Sequence, residues 1–319
     1  MADALSIPTG QPAAVPRPER VRRRAAANST TRRGDLKAAT IFLLPALVGF
    51  LVFYLWPTIR GVYLSFTDYS LLVEPEWVGT ENYTRMLSDR VFWHSLLVTL
   101  EYVAINIGVQ TIVAIVLAVL LHRLTSSSFL RGVILLPYLV ANVVVALVWY
   151  AMADYNIGMI NGVLGWFGVD PVAWFGDERL AIPTIALVNV WRHLGYTALL
   201  IFAGLQAIPK QMYEAAAVDG SGEWRSFWRI TLPLLRPVLA MVLVLTVIGS
   251  FQIFDTIAVT TKGGPVNATR VIYYYIYDKA FTQYEFGYAA TMGVFLIVVL
   301  AGISFLQLRL LRASESDLS

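Results

Sequence analysis

The chain has 319 residues, of which 57% are hydrophobic and only 14% charged, with a formal net charge of +3. Soluble domains carry roughly 25% charged residues, so this composition excludes an ordinary soluble globule and places the chain in a membrane. Cysteine is absent, which removes disulfides, thiol nucleophiles and thiolate metal sites together.

Residues 1–37 are rich in Pro, Ala and Arg, with Arg22-Arg23-Arg24 and Arg32-Arg33, and contain no apolar run able to make a core. They read as a disordered basic tail that fixes orientation, with attraction to anionic lipid headgroups as a second reading. The tail supplies much of the net positive charge and is no argument for nucleic acid. It lacks the form of a cleavable signal peptide, because the apolar run that follows is long enough to span.

Six apolar runs lie near 38–59, 95–121, 132–153, 181–207, 237–257 and 287–308. Each is about 20 to 27 residues long, enough for a helix to cross a hydrocarbon core of roughly 30 Å. The expected fold is all-α: a polytopic membrane protein with six transmembrane helices in one domain, 38–308, and a short tail at 309–319. With the N-terminus inside, about 16 Lys and Arg fall on the cytoplasmic side and about seven outside, as the positive-inside rule requires. Both termini are then cytoplasmic.

Polar groups inside a bilayer are costly and tend to face a cavity or another helix. Asn106 and Gln110 fall in the second run, Asn142 in the third, Asn189 and Arg192 in the fourth, and Gln252 and Asp255 toward the end of the fifth. Amides and acids of this kind suit hydroxyl-rich solutes, and Trp191 or Tyr196 could add an aromatic face. Such amides also join helices to one another, and a charge near a helix end can snorkel to water. Arg192 sits near the middle of its run; an anionic group on a solute, an acid such as Asp255, or a wet cavity are its alternative partners. His94, His122 and His193 are scattered and show no metal-ligand spacing, so no metal site is expected.

A polar gap at 208–236 separates the fourth and fifth runs. Pro209 suits a helix start, Gln211 to Val218 are mostly good helix formers, and Gly220 suits a left-handed helix end. Ser221 can cap a second short helix with Glu223 in its first turn, and Pro233 discourages its continuation. Met212, Tyr213, Trp224, Phe227 and Trp228 put large apolar groups on this helix–turn–helix, as a docking surface or as anchors along the membrane interface.

Glu214-Ala215-Ala216, three further residues, Gly220, nine further residues, then Ile230-Thr231-Leu232-Pro233 match the EAA loop of ABC importer permeases at every defined position. Asp219 precedes the glycine. The runs Leu43 to Tyr69, Val78 to Leu87, Phe251 to Pro265 and Tyr273 to Phe281 resemble the sugar-importer permeases of the maltose-transporter type, in the MalF-like branch. Unlike the MalF subunit, the chain has about six spans and lacks the extra N-terminal helices and large periplasmic insertion.

The resemblance implies a non-catalytic permease in a prokaryotic inner membrane. Such a subunit pairs with a second homologous permease, sits on two ATPase subunits that bind ATP and Mg, and receives a carbohydrate from an extracytoplasmic binding protein. Glu214, Ala215, Ala216, Asp219, Gly220, Ile230, Leu232 and Pro233 would form the joint to the ATPase. The chain has no G-x-x-x-x-G-K-[ST] phosphate loop, so no cofactor is expected in it. A sugar-phosphate importer, which Arg192 would suit, is the nearest rival. An ion-driven secondary carrier, with inverted repeats and helices broken at the midplane, is a rival from another class.

Overall fold

The computed structural model describes residues 29–71, 73–124 and 127–312. Contacts divide the chain into two units, Met1–Pro57 and Thr58–Ser319. In the first, α1 (Ser29–Phe50) passes into a widened helical turn at Leu51–Leu55. This helix starts inside the stretch read as a tail, and residues 1–28 of that stretch lie outside the described residues.

Helix α2 (Trp56–Leu64) starts two residues before the boundary, and the second unit continues with a two-residue antiparallel pair, β1 (Thr67–Asp68) and β2 (Glu76–Trp77). Next come α3 (Glu81–Ser88) and the 35-residue α4 (Arg90–Leu124). Then follow α5 (Ser128–Leu139), α6 (Asn142–Met152), α7 (Met159–Trp166) and α8 (Ala181–Gln206). The polar gap holds α9 (Lys210–Val218), α10 (Glu223–Ser226) and α11 (Leu232–Leu234). The chain ends with α12 (Arg236–Phe251), α13 (Asp255–Val259), α14 (Ile272–Tyr277) and α15 (Phe286–Arg312).

Among the described residues five helical stretches are long and apolar enough to cross a membrane: Thr40–Leu64, Arg90–Leu124, Ala181–Gln206, Arg236–Val259 and Phe286–Arg309. They match five of the six expected spans. The sixth, expected as one helix over 132–153, is instead α5 and α6 meeting at 87°. Val140 and Ala141 between them have extended backbone. Hydropathy cannot detect this bend, because the residues on both sides are equally apolar. Pro137, which lacks an N–H and disfavours the helical turn before it, is the only local sign. The last helix runs into the stretch read as a C-terminal tail, and residues 313–319 lie outside the described residues.

The core lies where α4 crosses α8. Small residues set the spacing there: Ala114, Ala118 and Ala198 are fully buried among Leu121, Ile201 and Leu235, as expected where lipid offers no hydrophobic drive and close packing must hold helices together. Gly195 of α8 lies against the Ile134 carbonyl of α5, and a Cβ there would collide with it. A second cluster, around Phe92, Tyr102, Ile185, Ile257 and Met292, joins α4 and α8 to α13, α14 and α15. On α4, Ile112, Val116 and Leu120 recur at helical spacing and are exposed, as suits a lipid-facing stripe.

A polar lock closes the end of the bundle where α4 begins. Asp89 accepts from the Val91 and Phe92 amides at 2.8 and 3.3 Å, capping α4. It also accepts from the hydroxyls of Tyr275 and Tyr288, each at 2.6 Å. Burial pushes the Asp89 carboxyl up, but these hydrogen bonds outweigh it and hold it below its usual range. Beside it, Arg85 grips both oxygens of Glu285 at 3.0 and 2.9 Å, and Lys279 reaches the same carboxylate at 3.1 Å. Glu285 is likewise depressed, since the bonds to Arg85 and Lys279 outweigh its burial.

Candidate functional site

Two places in the fold gather the residues singled out from the sequence. The first is a cleft of about 180 Å3 between α4, α6, α8, α12 and the start of α13. Asn106, Gln110, Asn142, Asn189, Gln252 and Asp255 all line it, although they come from four separate apolar runs. Helical spacing explains the convergence. Tyr102, Asn106 and Gln110 recur every four residues along one face of α4, and Asn189, His193 and Thr197 do the same along α8. That spacing was legible in the sequence and would have added Tyr102, His193 and Thr197 to the set.

The amides also join helices. Asn106 Nδ2 donates to Ser250 Oγ of α12 at 2.9 Å and to Gln110 Oε1 at 3.3 Å. Gln110 Nε2 donates to Thr197 Oγ1 of α8 at 2.7 Å. Asn189 Nδ2 donates to Thr256 Oγ1 of α13 at 3.3 Å and to the Ile185 carbonyl at 3.1 Å. Asn142 Nδ2 reaches Asp255 Oδ2 at 3.0 Å. One acceptor is left over, since the buried Asn106 Oδ1 has no hydrogen-bond partner among the described residues. Of the two candidate rings, Tyr196 lines the cleft, whereas Trp191 packs edge-on against Trp149 at 5.4 Å and does not.

Arg192 is the one residue of the set that does not line the cleft, nor does it pair with Asp255. Its guanidinium donates to the Val140 carbonyl at 3.2 and 3.0 Å and to the Tyr138 carbonyl at 3.2 Å, at the break between α5 and α6. Helix breaks free carbonyls that need donors, and in hydrocarbon water does not supply them. Beyond Pro137, nothing in the apolar run marked the break, and the demand for a donor was not visible there at all.

The second place is the segment from α9 to α11. Gly220 has φ +72°, the left-handed conformation that ends a helix. Around it the Ser221 amide reaches back to the Ala216 carbonyl at 2.8 Å and the Gly220 amide to Ala217 at 3.0 Å, the paired bonds of a Schellman stop. Pro209 is the residue just before α9 rather than its first turn. Gly222, not Ser221, occupies the start of α10, and the Ser221 Oγ instead accepts from Ser226 Oγ at 3.1 Å. Pro233 does not halt the helix. A widened turn over Phe227–Thr231 precedes it, accommodating the ring and the missing N–H, and the chain runs on through α11 into α12.

The motif divides into a buried and an exposed part. Ala216 is buried, and Ile230, Leu232 and Pro233 are half-buried. Tyr213 Oη and Thr231 Oγ1, 3.0 Å apart, tie the two halves of the segment together. Glu214, Ala215, Asp219 and Gly220 are exposed, and among the described residues neither carboxylate has an ion-pair partner. Met212, Trp224 and Trp228 are also exposed, with the two tryptophans packed against Phe227. At the C-terminal end of α4, Arg123 pairs with Glu223 at 2.5 Å.

Residues 110–316, which hold the second place whole and the first except for Tyr102 and Asn106, match the family described as the binding-protein-dependent transport system inner membrane component. The chain belongs to that family. This permease is 36% identical over 281 residues to the trehalose/maltose transport system permease protein MalF of Thermococcus litoralis, covering 86% of this chain and 94% of that protein. It is 32% identical to the lactose transport system permease protein LacF of Rhizobium radiobacter, covering 88% and 97%. Its fold matches a chain of a bacterial ABC transporter involved in the import of the acidic polysaccharide alginate, with TM-score 0.78 at 24% identity over 89% of this chain and 97% of that one. The resemblance carried by the EAA spacing thus extends along nearly the whole chain, and the permease is a multi-pass membrane transport subunit.

Proposed function

We propose that this permease translocates a carbohydrate, mono- to oligosaccharide, as the membrane subunit of an ATP-driven importer fed by an extracytoplasmic binding protein. The observation that carries this reading is the convergence of six amide and acid side chains from four apolar runs on one cleft. Its lining pairs planar amides and a carboxylate with the rings of Tyr102 and Tyr196, and Asn106 Oδ1 stands as a spare acceptor for a hydroxyl. At about 180 Å3 the cleft is smaller than the roughly 300–1,000 Å3 of enclosed ligand pockets. A second, homologous permease facing it would complete the path.

Energy comes, in this reading, from two ATPase subunits that bind ATP and Mg and grip the exposed face of α9 around Glu214 and Gly220. The segment is then cytoplasmic, with both termini on the same side, as the distribution of Lys and Arg favours. Moving a permease from 1:99 to 99:1 between its two states takes about 5.5 kcal/mol, which requires a firm joint rather than a loose contact. A sugar-phosphate substrate is less well supported, because Arg192, its natural counter-ion, is committed to two backbone carbonyls outside the cleft. The broken span would suit a secondary carrier, but membership in a binding-protein-dependent family favours the importer.

The deciding experiment is ATP-dependent uptake of a labelled carbohydrate panel by vesicles carrying the reconstituted complex. Uptake of one sugar that needs ATP and the binding protein supports the reading. Uptake driven by an ion gradient without ATP sinks it.

A further inference from the structure

We propose that Arg192 is a positioning residue: by closing the carbonyl end of α5 it holds the break between α5 and α6 as a fixed elbow, and the elbow sets Asn142 in the cleft wall against Asp255. This rests on the transport reading for its functional consequence, but its geometry stands alone.

The chain turns by 87° between Leu139 and Asn142; the Pro137 carbonyl still takes the Val140 amide at 3.4 Å, while the Tyr138 and Val140 carbonyls take side-chain donors. Arg192 supplies the donors from the neighbouring α8. Its Nε and Nη2 both reach the Val140 carbonyl, and Nη2 also reaches Tyr138. Its Nη1 is 3.0 Å from His193 Nε2, and His193 Nδ1 is 2.9 Å from the Asn189 carbonyl. A neutral imidazole that donates from Nδ1 and accepts at Nε2 satisfies both contacts. All three guanidinium nitrogens are therefore committed, in a planar fork that a lysine ammonium cannot reproduce.

Two features tie the elbow to the cleft. The guanidinium lies 5.4 Å from the Tyr138 ring, which stacks on Tyr196 at 4.5 Å with only 10° between the planes; Tyr196 lines the cleft. Two residues beyond the clamped Val140 comes Asn142, whose amide reaches Asp255 in that same wall. If Arg192 is lost, the freed carbonyls must find other donors, and Asn142 moves with them.

The native chain has no cysteine, so a pair of spin labels can be placed without altering the background. Leu136→Cys on α5 and Val144→Cys on α6 are both exposed and bracket the elbow. In the full chain, assembled with its transport partners in lipid nanodiscs, the expected result is a narrow inter-label distance distribution. Arg192→Gln should broaden it and lower transport by about tenfold, with Arg192→Lys intermediate in both. An unchanged distribution in Arg192→Gln overturns the proposal, and if transport falls while the distances stay fixed, Arg192 acts on the solute instead. Should the Gln variant fail to insert, the Lys variant decides by the same distances. Because the distances need no transported solute, a wild type that imports no carbohydrate would sink the transport reading and leave this one to be decided by the labels.

Discussion

Asn142 donates to the carboxylate of Asp255 across 3.0 Å, and each of the two is the first residue of a helix that follows an interruption, α6 after the elbow and α13 after Phe254. The bond thus joins two interruptions in otherwise apolar spans, at the wall of the cleft where four of the apolar runs meet.

Breaking that bond from either side should cost more than replacing it. Asp255→Ala leaves the half-buried Asn142 amide without its acceptor and is expected to destabilise by about 1.5–3 kcal/mol, the range for hydrogen bonds to a charged group. Asp255→Asn, which still offers a carbonyl, should lose about half as much. A double-mutant cycle with Asn142→Ala, read by thermal unfolding of the purified complex, checks this; additive effects would mean the two residues are uncoupled.

Glu214 is exposed and unpaired within the described residues. Removing its charge should therefore change the stability of the chain by less than about 0.5 kcal/mol. Glu214→Ala is nevertheless expected to abolish ATP-dependent uptake while the subunit still inserts and assembles. Uptake at the wild-type rate would remove this residue from the coupling joint.

Gly220 has open space where a Cβ would stand, so its requirement within the chain is conformational. Gly220→Ala should loosen the end of α9 by about 1–2 kcal/mol, the cost of a left-handed backbone for a residue with a Cβ. Gly220→Asn, which tolerates that backbone, should lose less. Hydrogen exchange at the Ser221 amide reads the loosening directly. If the Asn variant keeps its protection but loses transport, the missing Cβ serves a partner that approaches closely.

The polar lock around Asp89 should make the fold acid-sensitive. Its native value is held below that of the unfolded chain, so the stabilisation is fully present above the unfolded value of about 3.9 and is lost as pH falls through the lower native one. Glu285 acts in the same direction. Asp89→Asn should flatten the acid side of a melting-temperature profile below about pH 4 and lower stability at neutral pH by about 1–3 kcal/mol. A profile with an unchanged acid limb would place the sensitivity elsewhere.

The sequence alone determined the membrane class, five of the spans as helices, and the exposed helix–turn segment after the fourth span with its glycine stop. These are local matters: hydropathy over some 20 residues, and a motif whose parts lie within 20 positions of each other. It also named six of the cleft residues, because a polar group in a bilayer must face something other than lipid. Tertiary structure decided what each of them faces. That Asn106 finds Ser250, that Arg192 serves the carbonyls of Tyr138 and Val140, and that the third span bends by 87° all depend on partners 52 to 144 residues away. Apolar runs look alike whether straight or broken. The broken one is legible only when the neighbour that satisfies its freed carbonyls is in view.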